Sequence, residues 1–203
     1  DPGVEYFYRV RAVYSGTNSQ LSNEASAVTD IPAPTLADLD ASTAGQIVIS
    51  WDLNADIQSG TVRIFRSTDG SQGTEVATIA DLSTTSWTDT GLDDGTEYFY
   101  TVRTETSTTS ADSNQESAKT ILPAPTGLVS TETGDTTIGV EWSATHNAGQ
   151  TRIEYKPTDM SAWTVSETVA RATETATIGG LRNGEEYDIR VVAVTDDTEE
   201  VDQ

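Results

Sequence analysis

Leu92-Asp93-Asp94-Gly95-Thr96-Glu97-Tyr98, running on into Phe99-Tyr100-Thr101-Val102, is the stretch from which the architecture can be read. It returns as Leu181-Arg182-Asn183-Gly184-Glu185-Glu186-Tyr187, followed by Asp188-Ile189-Arg190-Val191. A third copy opens the chain as Asp1-Pro2-Gly3-Val4-Glu5-Tyr6-Phe7-Tyr8-Arg9-Val10. In both full copies a leucine stands six residues before the tyrosine and a glycine three residues before it. From the tyrosine onward the side chains alternate at period two, the signature of a strand with one inward row.

The copies set a period. Tyr6, Tyr98 and Tyr187 are separated by 92 (98 − 6) and 89 (187 − 98) residues, while Trp51 and Trp142 lie 91 apart (142 − 51), as do Pro32 and Pro123 (123 − 32). A repeat of about ninety residues is large enough for an independent core. The leucine–glycine–tyrosine spacing resembles the tyrosine corner of β-sandwiches, in which the phenol caps a turn between strands of opposite sheets.

Working outward, Ile47, Ile49 and Trp51 alternate with Val48 and Ser50, and Ile138, Val140 and Trp142 repeat that row. Further strands are expected at Val62–Phe65, Val76–Ile79 and Thr85–Thr88, with Ile153 and Tyr155, then Trp163 and Val165, as their later counterparts. Asn54–Gly60 reads as a loop, and Ser67–Ser71 and Ser15–Ser19 carry turn chemistry. Tyr6, Tyr8, Val10 and Ala12 form the inward row of an early strand, with a second strand through Ala25, Ala27 and Thr29. The expected fold is all-β, made of tandem immunoglobulin-like β-sandwiches. Residues 1–31 form the last two strands of a first module, 32–122 a complete second module, and 123–203 a third module lacking its last strand, so the chain reads as a segment of something longer. Ile31-Pro32-Ala33-Pro34-Thr35 and Leu122-Pro123-Ala124-Pro125-Thr126 mark the joints. Their prolines fix φ and lack amide donors, so the modules are expected to stand end to end on stiff connections.

At this point the residues resemble a known family. Trp51 and Trp142, the Leu92–Tyr98 and Leu181–Tyr187 spacings, and the runs Tyr98-x-Tyr100-x-Val102 and Tyr187-x-Ile189-x-Val191 are similar to fibronectin type III domains. Thr88-Asp89-Thr90-Gly91-Leu92 before the corner looks like the variant of prokaryotic extracellular proteins. The resemblance implies structural roles for Trp51, Leu92, Tyr98, Trp142, Leu181 and Tyr187, and a spacer or adhesion module whose ligand it does not identify. The proline that often follows the corner leucine in that family survives only as Pro2. Asp94 and Asn183 replace it, which is expected to loosen the turn.

Composition narrows the function. Thirty-three acidic residues against eleven basic ones give a net charge of −22, which excludes nucleic acid and anionic membranes as natural partners. Only Lys119 and Lys156 are lysines, a surface that points to adaptation to high salt. Cysteine is absent, so disulfides and thiolate metal sites are excluded. No apolar run approaches the ~20 residues needed to cross a bilayer, so no direct membrane insertion is expected in this segment.

Sites for chemistry are few. His146, the only histidine, reads as an exposed loop side chain, and the carboxylates read as solvated groups in turns and on outward strand positions. Calcium would find hard ligands in Asp93-Asp94, Asp196–Glu200, or Asp30, Asp38 and Asp40, but no EF-hand pattern accompanies them. Trp87 and Trp163 suit half-buried sheet packing better than a sugar-stacking platform. No Arg-Gly-Asp tripeptide and no Asn-x-Ser/Thr sequon occurs. Recognition is best placed in the loops at Thr104–Ser113 and Thr195–Glu200. The expectation is a non-enzymatic structural or adhesive stalk or fibre segment, without catalytic residues, cofactor or metal, on the surface of a cell or virion, from a halophile. Its partners are neighbouring modules of the same longer chain, with other surface proteins or glycans as further candidates. The alternative is a spacer in a secreted polysaccharide-degrading enzyme.

Overall fold

Alternation of heavy apolar and polar residues builds the central strands, and the computed structural model, which describes residues 1–195, shows them paired into sheets. In chain order the strands are β1 (Glu5–Tyr8), β2 (Val13–Tyr14), β3 (Thr17–Asn18), β4 (Ala25–Val28), β5 (Thr35–Leu36), β6 (Gln46–Asp52), β7 (Thr61–Ser67), β8 (Thr74–Ile79) and β9 (Ser86–Thr90). They continue as β10 (Glu97–Glu105), β11 (Ser110–Lys119), β12 (Thr126–Thr133), β13 (Ile138–Ser143), β14 (Gln150–Pro157), β15 (Thr164–Ala170), β16 (Thr175–Ile178) and β17 (Tyr187–Val194). No helix occurs among the described residues.

Strands β5 to β11 make a three-stranded sheet, β5–β6–β9, and a four-stranded sheet, β11–β10–β7–β8. Ile47, Ile49 and Trp51 of β6 are buried, as are Val62 and Ile64 of β7 and Tyr98, Tyr100 and Val102 of β10. Strands β12 to β17 repeat the plan with sheets β12–β13–β16 and β15–β14–β17. Their inner rows meet in one core of Val140, Trp142, Ile153, Ile178 and Leu181, with Tyr155, Tyr187 and Ile189 packed against it. The all-β sandwich expectation holds.

By its own contacts the chain divides into two compact units. One gathers Asp1–Asp40, Val48–Thr88 and Tyr98–Ala118, and the other Ala41–Ile47, Asp89–Glu97 and Lys119–Gln203. The second unit therefore takes in the corner turn ahead of Tyr98 along with the whole C-terminal sandwich, for reasons given by the hydrogen bonds below.

The first thirty residues differ from expectation. The strand through Tyr6 stops at Tyr8, and the two long strands run as four short ones, β1 with β4 and β2 with β3. Serine hydroxyls take over ladder positions between them: Ser22 Oγ accepts from the Val10 amide at 3.0 Å and Ser19 Oγ from the Ala12 amide at 2.9 Å. The expected inward row lies open, with Tyr8 58% and Val10 71% exposed, because no described strand crosses that face. Ser15 and Gly16, at φ 44° and 81°, close the β2–β3 hairpin as a two-residue turn.

Candidate functional site

For a chain of this kind the corner turns and the loops that meet them are the parts with specific polar geometry. Tyr187 Oη accepts the Arg182 amide at 3.0 Å and donates to Glu185 Oε2 at 3.2 Å. In the first copy Tyr6 Oη lies 2.8 Å from the Asp1 backbone nitrogen, again five residues back. Tyr98 is buried, with the Arg66 guanidinium 5.5 Å above its ring. The leucine of each full copy is buried, and its amide is tied to the turn four strands earlier, ahead of β6 or β13: Leu92 to the Gly45 carbonyl and Leu181 to that of Thr136, both at 3.0 Å. Trp51 and Trp142 are enclosed in the cores and Tyr187 is half-buried.

A residue that spacing did not single out holds the corner together. Thr120, 2% exposed, donates its hydroxyl to the Asp93 carbonyl at 2.6 Å and accepts the Thr96 amide at 3.0 Å. Its backbone completes the set, with Thr120 N to Thr96 O at 3.0 Å and Gly95 N to Thr120 O at 3.1 Å. Thr29 repeats all four bonds in the first copy, to Asp1, Val4 and Gly3. The signal was present, since Thr29 and Thr120 keep the 91-residue period (120 − 29), each two places before the joint's apolar residue, Ile31 or Leu122.

The turn then meets the next loop. Gly95, at φ +62°, lies so close that a Cβ there would sit 3.2 Å from Thr195 Cγ2 and 3.5 Å from Leu122 Cδ2. Gly3, at φ +70°, stands likewise against Ile31 and Thr106, and Thr108 Oγ1 donates to the Gly3 carbonyl at 3.1 Å. Beside Gly95, the Asn147 amide donates to Asp94 Oδ2 at 2.8 Å while the Asp94 amide donates to Asn147 Oδ1 at 3.0 Å. Asp94 is buried, so the residue expected to loosen the turn instead fastens it. The expected loop Thr104–Ser113 contracts to a turn at Thr106–Thr109, because β10 and β11 extend through its ends. The part of the second loop after Thr195, and the acids Asp196–Glu200, lie outside the described residues.

His146 is a correction. It is 1% exposed, with Nδ1 2.6 Å from the Ala148 carbonyl and Nε2 3.2 Å from Thr151 Oγ1, itself fully buried. The loop folds inward because both ring nitrogens find partners there, and Arg171 adds a bond to the His146 carbonyl at 3.4 Å. Both nitrogens and the neighbouring hydroxyl are shut away from any substrate, so the arrangement is structural.

Nor are all the acids solvated. Besides Asp94, Asp89 and Glu154 are buried. Glu154 is held between Arg152 Nε and Arg190 Nε, each 2.6 Å away, and opposite charges of this kind are what make a buried carboxylate tolerable. Arg190 and Lys156 also cover Trp163, at 4.5 and 5.3 Å from the ring centre, and Trp163 and Trp87 are half-buried. In the preceding sandwich Arg103 makes a forked pair with Asp112, at 2.5 and 2.9 Å, and that hydrogen bonding holds the Asp112 carboxyl below its usual range. No group of three or more potential metal ligands gathers among the described residues.

Comparison with known proteins agrees with this geometry. Residues 123–202 match the family described as "Fibronectin type III domain". Mouse tenascin-N is 30% identical over 193 residues, which cover 95% of this chain and 12% of that protein. Human tenascin-R is 30% identical over 195 residues, covering 95% of this chain and 14% of that protein. The chain thus spans a small part of these relatives. Among solved structures, a two-domain fibronectin type III segment from chicken tenascin superposes with a TM-score of 0.61, covering 79% of this chain and 91% of its own at 19% identity.

Proposed function

We propose, on the premise that this chain is a run of tandem fibronectin type III sandwiches, that it is a non-enzymatic spacer and adhesion segment working outside the cell. The observation that carries the reading is the joint at Asp94 and Asn147. A corner turn and the loop of the following sandwich exchange two hydrogen bonds there, each from a backbone amide to the other residue's side-chain oxygen, so named polar contacts tie the turn to that loop. The tenascins at 30% identity support an extracellular structural role, though the chain covers only 12% and 14% of the two compared.

The finer setting is a stalk or fibre on a cell or virion surface, of the prokaryotic type, in a salt-rich habitat. The charge of −22 with only two lysines supports it.

The test replaces residues 32–122 in the parent protein with an unrelated β-sandwich of similar length. Retained surface display and attachment support a spacer. Lost attachment with display retained assigns binding to this segment's own surface. Lost polysaccharide hydrolysis by the parent would select the accessory-module alternative. Failure of intact cells to yield peptides of this segment on brief protease treatment would overturn the extracellular setting.

A further inference from the structure

The two joints solve the same hydrogen-bonding problem in two different ways. Pro2 and Asp94 both stand four residues before a corner tyrosine, Tyr6 and Tyr98. Asp56 and Asn147 both stand five residues after a core tryptophan, Trp51 and Trp142. Pro2 and Asp56 line one cleft, as Asp94 and Asn147 form one bonded pair.

We propose that these two positions form a matched pair deciding which sandwich can follow which, and that Asp94 and Asn147 are its specificity-determining residues. In their joint each residue offers a side-chain oxygen to the other's backbone N–H, at 2.8 and 3.0 Å, so the arrangement has the symmetry of an exchange. An asparagine supplies a carbonyl oxygen and a carboxylate supplies only acceptors, so either serves on either side. Two carboxylates facing each other repel where Asp94 is buried. In the other joint Pro2 has no N–H to satisfy. The Asp56 amide is there capped within its own loop by Asn54 Oδ1 at 2.9 Å, so nothing is needed from Pro2. Transplanting half of one solution into the other leaves a donor or a charge without a partner, and that mismatch is what would discriminate between neighbours.

This deepens the spacer reading, and its experiment measures only the joint, so either can fail alone. The chain has no cysteine, so Thr88→Cys and Ser161→Cys, both at exposed positions, give two unique spin labels in the full chain. Pulsed electron–electron resonance then reads the spread of their separation. Asn147→Asp is expected to broaden that distribution at least twofold, and adding Asp94→Asn is expected to restore the original width. Asp94→Pro, which imports half of the other solution, is expected to broaden it, and Asn147→Asp does not rescue it because Thr145 stands where Asn54 caps the Asp56 amide in the other joint. Tryptophan fluorescence confirms that each variant is folded; an Asn147→Asp chain that unfolds and is refolded by Asp94→Asn supports the proposal equally. An Asn147→Asp distribution as narrow as the parent's, or a double variant as impaired as Asn147→Asp alone, overturns it.

Discussion

The hydroxyl of Thr120 donates to the carbonyl of Asp93 across 27 residues, at 2.6 Å, and thereby locks the exit strand of one sandwich to its own corner turn. Thr29 makes the same bond to Asp1 at 2.7 Å.

Thr120→Val keeps the shape of the side chain and deletes the hydroxyl's hydrogen bonds. Because Thr120 is enclosed, the Asp93 carbonyl and Thr96 amide lose partners with little access to water. The expected loss is about 1–3 kcal/mol. Thr120→Ser should recover most of it in a denaturant titration of the full chain. Equal stability for the valine and serine variants would mean that the hydroxyl contributes nothing to the corner.

Tyr187→Phe and Trp142→Ala separate the corner from the core. The first removes an acceptor for the exposed Arg182 amide, which water can replace, and should cost about 0.5–1.5 kcal/mol. The second empties the centre of the Val140–Ile153–Ile178 core and should cost about 3–5 kcal/mol. Denaturant midpoints shifted in the reverse order would show that the phenol, and not the indole, organises this sandwich.

Salt should stabilise the chain. A net charge of −22 on closely folded strands repels itself, and folding concentrates it. The Debye length falls from about 10 Å at 0.1 M to about 3 Å at 1 M, so most of the gain should come below ~1 M. Sodium and potassium chloride should act alike with chelator present. A melting temperature that stays flat across that series would remove the halophile reading.

Acid should remove a specific part of the stability. Hydrogen bonds from Ser71, Thr78, Ser83 and Arg103 hold the carboxyls of Asp69, Glu75, Asp81 and Asp112 below their ordinary values. A carboxyl depressed in the folded state stabilises it above the unfolded range near pH 4, and that contribution is lost as the pH falls through the lower folded values. Asp112→Asn should therefore destabilise the chain at pH 6 and cost progressively less toward pH 2. A penalty independent of pH would mean that the Arg103–Asp112 pair does not act through charge.

Alternation and period were enough for the sequence by itself to determine the sandwich. Ile47-x-Ile49-x-Trp51 must bury one face of a strand, and the 91-residue return to Ile138-x-Val140-x-Trp142 says that the chain does so again. The corner spacing located the turns for the same reason, since a leucine, a glycine at positive φ and a tyrosine act within seven residues. What only the tertiary structure decided are pairings between distant segments. Asp94 reads as a weakened turn residue until Asn147, 53 residues later, is brought against it. His146 reads as a loop side chain until Ala148 and Thr151 satisfy both nitrogens inside the fold. Tyr8 and Val10 carry the pattern of an inward row, yet remain exposed where no described strand covers them. Periodicity specifies which face of a strand is apolar; whether something lies against that face, and which polar group meets which, depends on contacts whose sequence separation carries no local signal.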